Sequence, residues 1–150
     1  MATSLFGDLQ RLIARHARPE GEGVSLKALP NITVTSAQAP TVPLPHVAEP
    51  IFSVVLQGRK EIELDKKVFN YGEGQFLIVS VELPITAHIS EATKKVPFLG
   101  LGFALKAETI ASILLEAKIL QTTENNLKSV PVSKVTNDLV DPLIRLLRLL

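Results

Sequence analysis

From Ile51 to Leu105, short apolar or alternating runs are broken by turn residues roughly every 8 to 12 positions, a spacing too tight for long helices. Ile51 to Leu56 is an apolar run suited to a strand covered on both faces, and Gln57-Gly58 ends it. Glu61-Ile62-Glu63-Leu64 alternates, as a strand with one wet face does. Asp65-Lys66 reads as a tight turn before Val68 to Tyr71, and Gly72-Glu73-Gly74 as a second turn before a strand from Gln75 to Val81. Leu83-Pro84 is a break, Ile85 to Ile89 a further strand, Glu91 to Lys95 a polar loop, and Pro97 to Leu105 a last strand. Such a series predicts a β-sandwich or barrel.

The flanks obey other rules. Leu5, Leu9, Leu12 and Ile13 recur at helical spacing with Asp8, Arg11 and Arg15 between them, which predicts an amphipathic helix over residues 5–17. Thr3 or Ser4 could cap it, and Pro19 stops it. Ile32 and Val34 alternate with Thr33 and Thr35 as in a half-buried strand. Pro40, Pro43, Pro45 and Pro50 each lack an N–H and fix φ, so this stretch reads as an extended loop against the surface.

After Leu105 the period changes. Ile110, Ile113, Leu114 and Ala117 share a helical face, and Gln121 to Ser129 is polar loop. A helix is expected from Asn137 to Leu150, capped by Thr136 or Asn137, with Pro142 in its first turns. Leu139, Leu143, Leu146 and Leu150 follow the 4-3-4 spacing of an a/d seam, which either packs on its own barrel or pairs with another chain. The pattern stops at Leu150 without a stop residue, as in a chain that continues.

Composition closes off several functions. The 150 residues suit one domain, and the absence of cysteine excludes disulfides, thiolate metal sites and thiol nucleophiles. The net charge is +1, with cations and anions interspersed, so the chain offers no basic face for nucleic acid. No run approaches the ~18 apolar residues of a membrane span, and residues 1–17 lack the continuous apolar core of a secretory signal. Gly21-Glu22-Gly23, Gly72-Glu73-Gly74 and Gly100-Leu101-Gly102 each have leucine where a dinucleotide fingerprint needs its third glycine, so they read as turns or tight strand packing. His16, His46 and His88 are far apart in sequence and form no local metal motif, and there is no Gly-x-Ser-x-Gly elbow. Catalytic residues, a metal and a cofactor are therefore not expected.

Glu49-Pro50, Val55-Leu56-Gln57-Gly58, Lys60, Leu64, Tyr71-Gly72-Glu73-Gly74 and Ser80-Val81-Glu82-Leu83-Pro84 closely resemble the N-terminal domain of AraC-type transcription regulators. Leu12-Ile13-Ala14-Arg15-His16, Pro40-Thr41-Val42-Pro43, Pro97-Phe98-Leu99 and Arg145 to Leu150 look like the same group, in the same order. Ala48 stands where an aromatic is common, Asp65 where glycine is usual, and Lys106 where an acidic cap is frequent; none of the three touches the expected core pattern.

The resemblance implies a mainly β fold: a cupin-like double-stranded β-helix or jelly-roll barrel with an N-terminal helix and C-terminal helices. The expected organisation is a helix and arm over 1–23, the barrel over 24–106 and a helical dimerisation segment over 107–150. A DNA-binding domain of two helix-turn-helix units would follow residue 150. The implied protein is bacterial and cytoplasmic, a homodimer that senses a small effector and reaches DNA only through that further domain. Polar and aromatic residues on the predicted strands supply ligand candidates: Phe52, Gln57, Arg59, Tyr71, His88 and Phe103. Leu139, Leu143, Leu146 and Leu150 are the dimerisation candidates. Two alternatives remain: a dimerisation scaffold without ligand, or a metal-dependent cupin enzyme, which would need convergent metal ligands.

Overall fold

The computed structural model describes residues 5–16, 24–29, 31–79, 81–106 and 132–148; for His16, 24–29 and Asn137 the description is of the backbone alone. The readings made for Thr3, Ser4, Pro19, residues 107–131 and Leu150 lie outside these residues. In chain order the elements are α1 (Leu5–His16), β1 (Val24–Leu29), β2 (Ile32–Ala37), β3 (Leu44–Ala48), β4 (Ile51–Gln57), β5 (Arg59–Leu64), β6 (Lys67–Gly72), β7 (Gln75–Val79), β8 (Leu83–Glu91), β9 (Phe98–Ala104), β10 (Val132–Lys134) and α2 (Asn137–Leu147).

The strands form two sheets, one ordered β1-β2-β9-β4-β7-β10 and the other β3-β8-β5-β6. Every pairing is antiparallel. The sheets meet over an interior built from both: Val55, Leu77, Val79 and Phe98 from the larger, Ile62, Leu64, Tyr71, Ile85 and Ile89 from the smaller. The mainly β architecture expected from the turn spacing is what the chain adopts.

The larger sheet is covered twice. Along β4, Val55 points into the interior, while Val54 and Leu56 point to the other face and meet Leu9 and Ile13 of α1 and Val140, Leu143, Ile144 and Leu147 of α2. Along β9, Phe98 goes inward while Leu99 and Leu101 go to the helices. Side chains alternate along a strand, so burial on both faces requires the unbroken apolar runs seen in β4 and β9. β5 belongs to the smaller sheet and has one wet face, and its Glu-Ile-Glu-Leu alternation records that.

The turns follow local backbone chemistry. Asp65 and Lys66 both have positive φ, 50° and 66°, the conformation required of both central residues in a two-residue hairpin of the I′ type. Gly58 has φ 85°, and a Cβ there would lie 2.6 Å from the Glu91 carbonyl oxygen, so only glycine fits between β4 and β5.

Four sequence expectations need correction. The proline-rich stretch is not all loop, because Leu44–Ala48 forms β3 and pairs with β8. β3 is an edge strand, where a missing proline N–H is tolerated, and Pro45 uses that allowance. Pro84 does not break the next strand but lies inside β8, opposite Val47. It is tolerated because β8 there has outrun β5, whose last partner pair is Glu63 with Thr86. The sheet also does not end at residue 106, since Val132–Lys134 returns to pair with β7. Finally, Ala48, expected to lie outside the core pattern, is buried in the interior cluster.

Candidate functional site

The six ligand candidates do not converge. Tyr71 is fully buried between the sheets, and its hydroxyl lies 3.0 Å from Ser53 Oγ. Phe52 and Phe103 are cross-strand partners on the opposite face of the larger sheet, the face turned to the helices. Their ring centroids are 5.9 Å apart, and Phe76 joins them at 5.2 Å from Phe52. Such spacing is ordinary aromatic packing. Gln57 sits at the end of β4, where its Nε2 donates to the Pro97 carbonyl at 2.7 Å. Arg59 is exposed at the start of β5, with its stem over Gly72. His88 is opposite Glu61 on the smaller sheet, with Nε2 3.1 Å from Glu61 Oε2.

Residue type alone could not sort these positions. In Phe52 and Ser53 the chain places an aromatic toward the helices and a hydroxyl toward the interior, and only knowledge of the facing layers assigns them. Between the sheets lies a packed cluster of apolar side chains. A Cβ on Gly100 would come 2.9 Å from Phe98 Cε1, and one on Gly102 would come 3.2 Å from Ile51 Cδ1. These glycines make room for their neighbours' rings and branches. Ser53, as partner of the Tyr71 hydroxyl, was missed by the sequence reading, and nothing in its local pattern marks it.

Three residues of the leucine seam, Leu139, Leu143 and Leu146, pack within their own chain. Leu143 is buried in the helix-layer core, and Leu139 and Leu146 pack against that core while partly exposed. The deepest residues of α2 form a stripe one position away: Val140, Leu143, Ile144 and Leu147. Of the two readings of the seam, packing on its own barrel describes Leu143. Opposite this stripe, Arg145 pairs with Asp141 at 2.5 Å, one helical turn away. Thr136 holds the N-cap with extended φ and ψ but makes no side-chain cap bond.

Among the described residues, two concavities outside the interior are well formed. One, of about 410 Å³, is an open groove across the smaller sheet, bounded by His46, Val47, Glu63, Lys66, Pro84 and Thr86. The other, of about 340 Å³, lies between α1 and the rim of the larger sheet, lined by Gln10, Arg11, Ala14, Gln57, Pro97 and Leu99. Gln57 alone among the six candidates lines either of them. Gln10, another residue missed in the sequence, donates from Nε2 to the Leu56 carbonyl at 2.6 Å and to Glu73. Its signal was present, because Gly7, Gln10, Arg11 and Ala14 form an i, i+3, i+4, i+7 stripe beside the apolar stripe of α1. Among the described residues no three histidine, aspartate or glutamate side chains group as metal ligands. Among them, too, no helix is long and apolar enough to cross a membrane.

Two antiparallel sheets that meet over a shared interior, one of them backed by a helix layer, define a β-barrel domain. Residues 28–150 match the family described as the AraC-type transcriptional regulator N-terminus. The chain belongs to that family. Among solved structures, ToxT from Vibrio cholerae aligns with a TM-score of 0.50 and 4% identity, covering 78% of this chain and 47% of ToxT; the likeness is one of fold. The Schizosaccharomyces pombe Cnp3 cupin domain aligns with a TM-score of 0.45 and 16% identity, covering 65% of this chain and 76% of that one. A cupin protein from Bacteroides fragilis aligns with a TM-score of 0.40 and 20% identity, covering 61% of this chain and 81% of that one. Curated proteins yield no match.

Proposed function

We propose that this domain is the effector-sensing and dimerising part of a cytoplasmic AraC-type regulator, is not an enzyme, and leaves DNA contact to a helix-turn-helix part outside these 150 residues. The observation that carries the reading is the family match over residues 28–150. The near-neutral charge supports assigning DNA contact elsewhere, since a DNA-binding face is built from clustered cations. Sensing requires that an effector prefer one state of the domain, because a ligand shifts an equilibrium only by its differential affinity.

The test has two arms. Sedimentation of the purified chain should show a concentration-dependent dimer. Thermal unfolding against a metabolite panel should reveal at least one compound that raises the melting temperature, as any ligand of the folded state must. Metal analysis of protein purified without chelator addresses the enzyme alternative, and a stoichiometric transition metal there would count against the regulator reading. The apolar packing between the sheets supports a second reading, a scaffold that dimerises without ligand. A dimer that no panel compound stabilises would favour it.

A further inference from the structure

We propose that the cavity between α1 and the barrel rim is a binding site for a small organic carboxylate with an apolar body. The inference rests on the sensing function proposed above and gives it a location outside the space between the sheets. The cavity measures about 340 Å³, within the range of small-molecule sites. Its walls divide by chemistry. Ala14, Pro97 and Leu99 supply apolar surface, while Gln10, Arg11 and Gln57 supply polar groups.

The hydrogen-bond inventory fixes which ligand suits it. Both N–H groups of the Gln10 amide are engaged, one by the Leu56 carbonyl and one by Glu73. Gln57 commits one N–H to the Pro97 carbonyl and keeps a second. Arg11 gives Nη2 to Asp8, one helical turn away, from a guanidinium with five N–H donors. The donors left over, on Arg11 and Gln57, come from two different elements that line the same space. A carboxylate accepts from both at once, and its bond to guanidinium is charge-assisted.

The location has a consequence for signalling. α1 packs by Leu9 and Ile13 against the same core as α2. A ligand clamped between Arg11 of α1 and Gln57 of β4 therefore favours the docked state of α1 and, through it, the placement of α2.

The test uses the whole chain, labelled with nitrogen-15, and one isosteric probe pair: cyclohexanecarboxylate and its neutral carboxamide. The carboxylate should shift the Gln57 side-chain amide and the backbone amides from Gly7 to Ala14, and saturate. Loss of one charge-assisted contact is worth about tenfold in affinity, so Arg11→Gln should weaken binding about tenfold. The carboxamide should bind the wild type about tenfold more weakly for the same reason. Arg11 is exposed, so its replacement leaves the fold intact. Ala14→Phe, also at an exposed position, should abolish binding by filling the cavity. The site is overturned if these signals do not move, if the carboxamide binds equally, if either variant binds like the wild type, or if the shifts scatter without saturating, which is binding at probe concentration only. Failure of the wider reading looks different: panel compounds that stabilise the chain while α1 signals stay still leave sensing intact and remove this site. Saturable carboxylate binding with no change in the dimer equilibrium keeps the site and removes sensing.

Discussion

The Tyr71 hydroxyl and Ser53 Oγ face each other 3.0 Å apart across the space between the two sheets, Tyr71 from β6 and Ser53 from β4. Tyr71 is fully buried, so its hydroxyl depends on the partly buried Ser53 in place of water. Tyr71→Phe and Ser53→Ala should each lower the unfolding free energy by roughly 1–2 kcal/mol, and the double variant should cost less than their sum, because removing both partners leaves neither unsatisfied. Urea unfolding of the four proteins measures this, and strict additivity would show that the two groups are independent.

Lys66 sits in the left-handed region at φ 66° in the β5–β6 hairpin. That conformation costs a non-glycine residue about 1–2 kcal/mol. Glycine removes the cost but frees the unfolded chain by about 0.4–1 kcal/mol. Lys66→Gly is expected to raise stability by roughly 0.5–1 kcal/mol. A lower urea midpoint would mean that the lysine side chain makes a contact worth more than the strain.

Gly58 and Gly74 share a positive φ, 85° and 80°, but not their surroundings. A Cβ at Gly58 would lie 2.6 Å from a backbone oxygen, whereas one at Gly74 would meet only Phe6 Cζ at 4.0 Å. Gly74→Ala should therefore lose only the conformational cost, about 1 kcal/mol, and Gly58→Ala about 2–4 kcal/mol. Thermal unfolding of the pair reads the difference directly, and equal losses would place the constraint in φ alone.

Leu143 lies in the helix-layer core of its own chain with 7% of its surface exposed. Leu143→Ala should cost about 2–4 kcal/mol as a cavity, and Leu143→Asp should unfold the domain. A folded, monomeric Leu143→Asp protein would instead show that this residue serves an interface between chains. Circular dichroism beside sedimentation separates the two outcomes.

How far the fold could be read in advance depended on how local its cause was. The Asp65-Lys66 turn, the wet face of β5 and the inward stripe of α1 are written in neighbouring residues. β3 and the continuation of β8 through Pro84 were hidden because a proline is forbidden only where a neighbouring strand demands its N–H, and at an edge none does. β10 was invisible for a different reason: three residues carry no periodicity, and their partner β7 lies more than fifty positions earlier. The seam in α2 was seen, but its buried stripe is centred on Val140 and Leu147, which only the surface it rests on could decide. Candidate ligand residues suffered most. Phe52, Tyr71 and His88 face three separate surfaces, and side-chain chemistry contains no information on which.

β10 and α2 are separated by Val135 and Thr136 alone, and the Val135 N–H is itself tied to the Gly74 carbonyl at 2.8 Å. The final helix thus has no slack at its root. A pull or twist applied to it by anything attached downstream arrives at β7 within two residues, before any loop can absorb it. In the opposite direction, a stiffened sheet becomes a stiffened mount for whatever that helix carries.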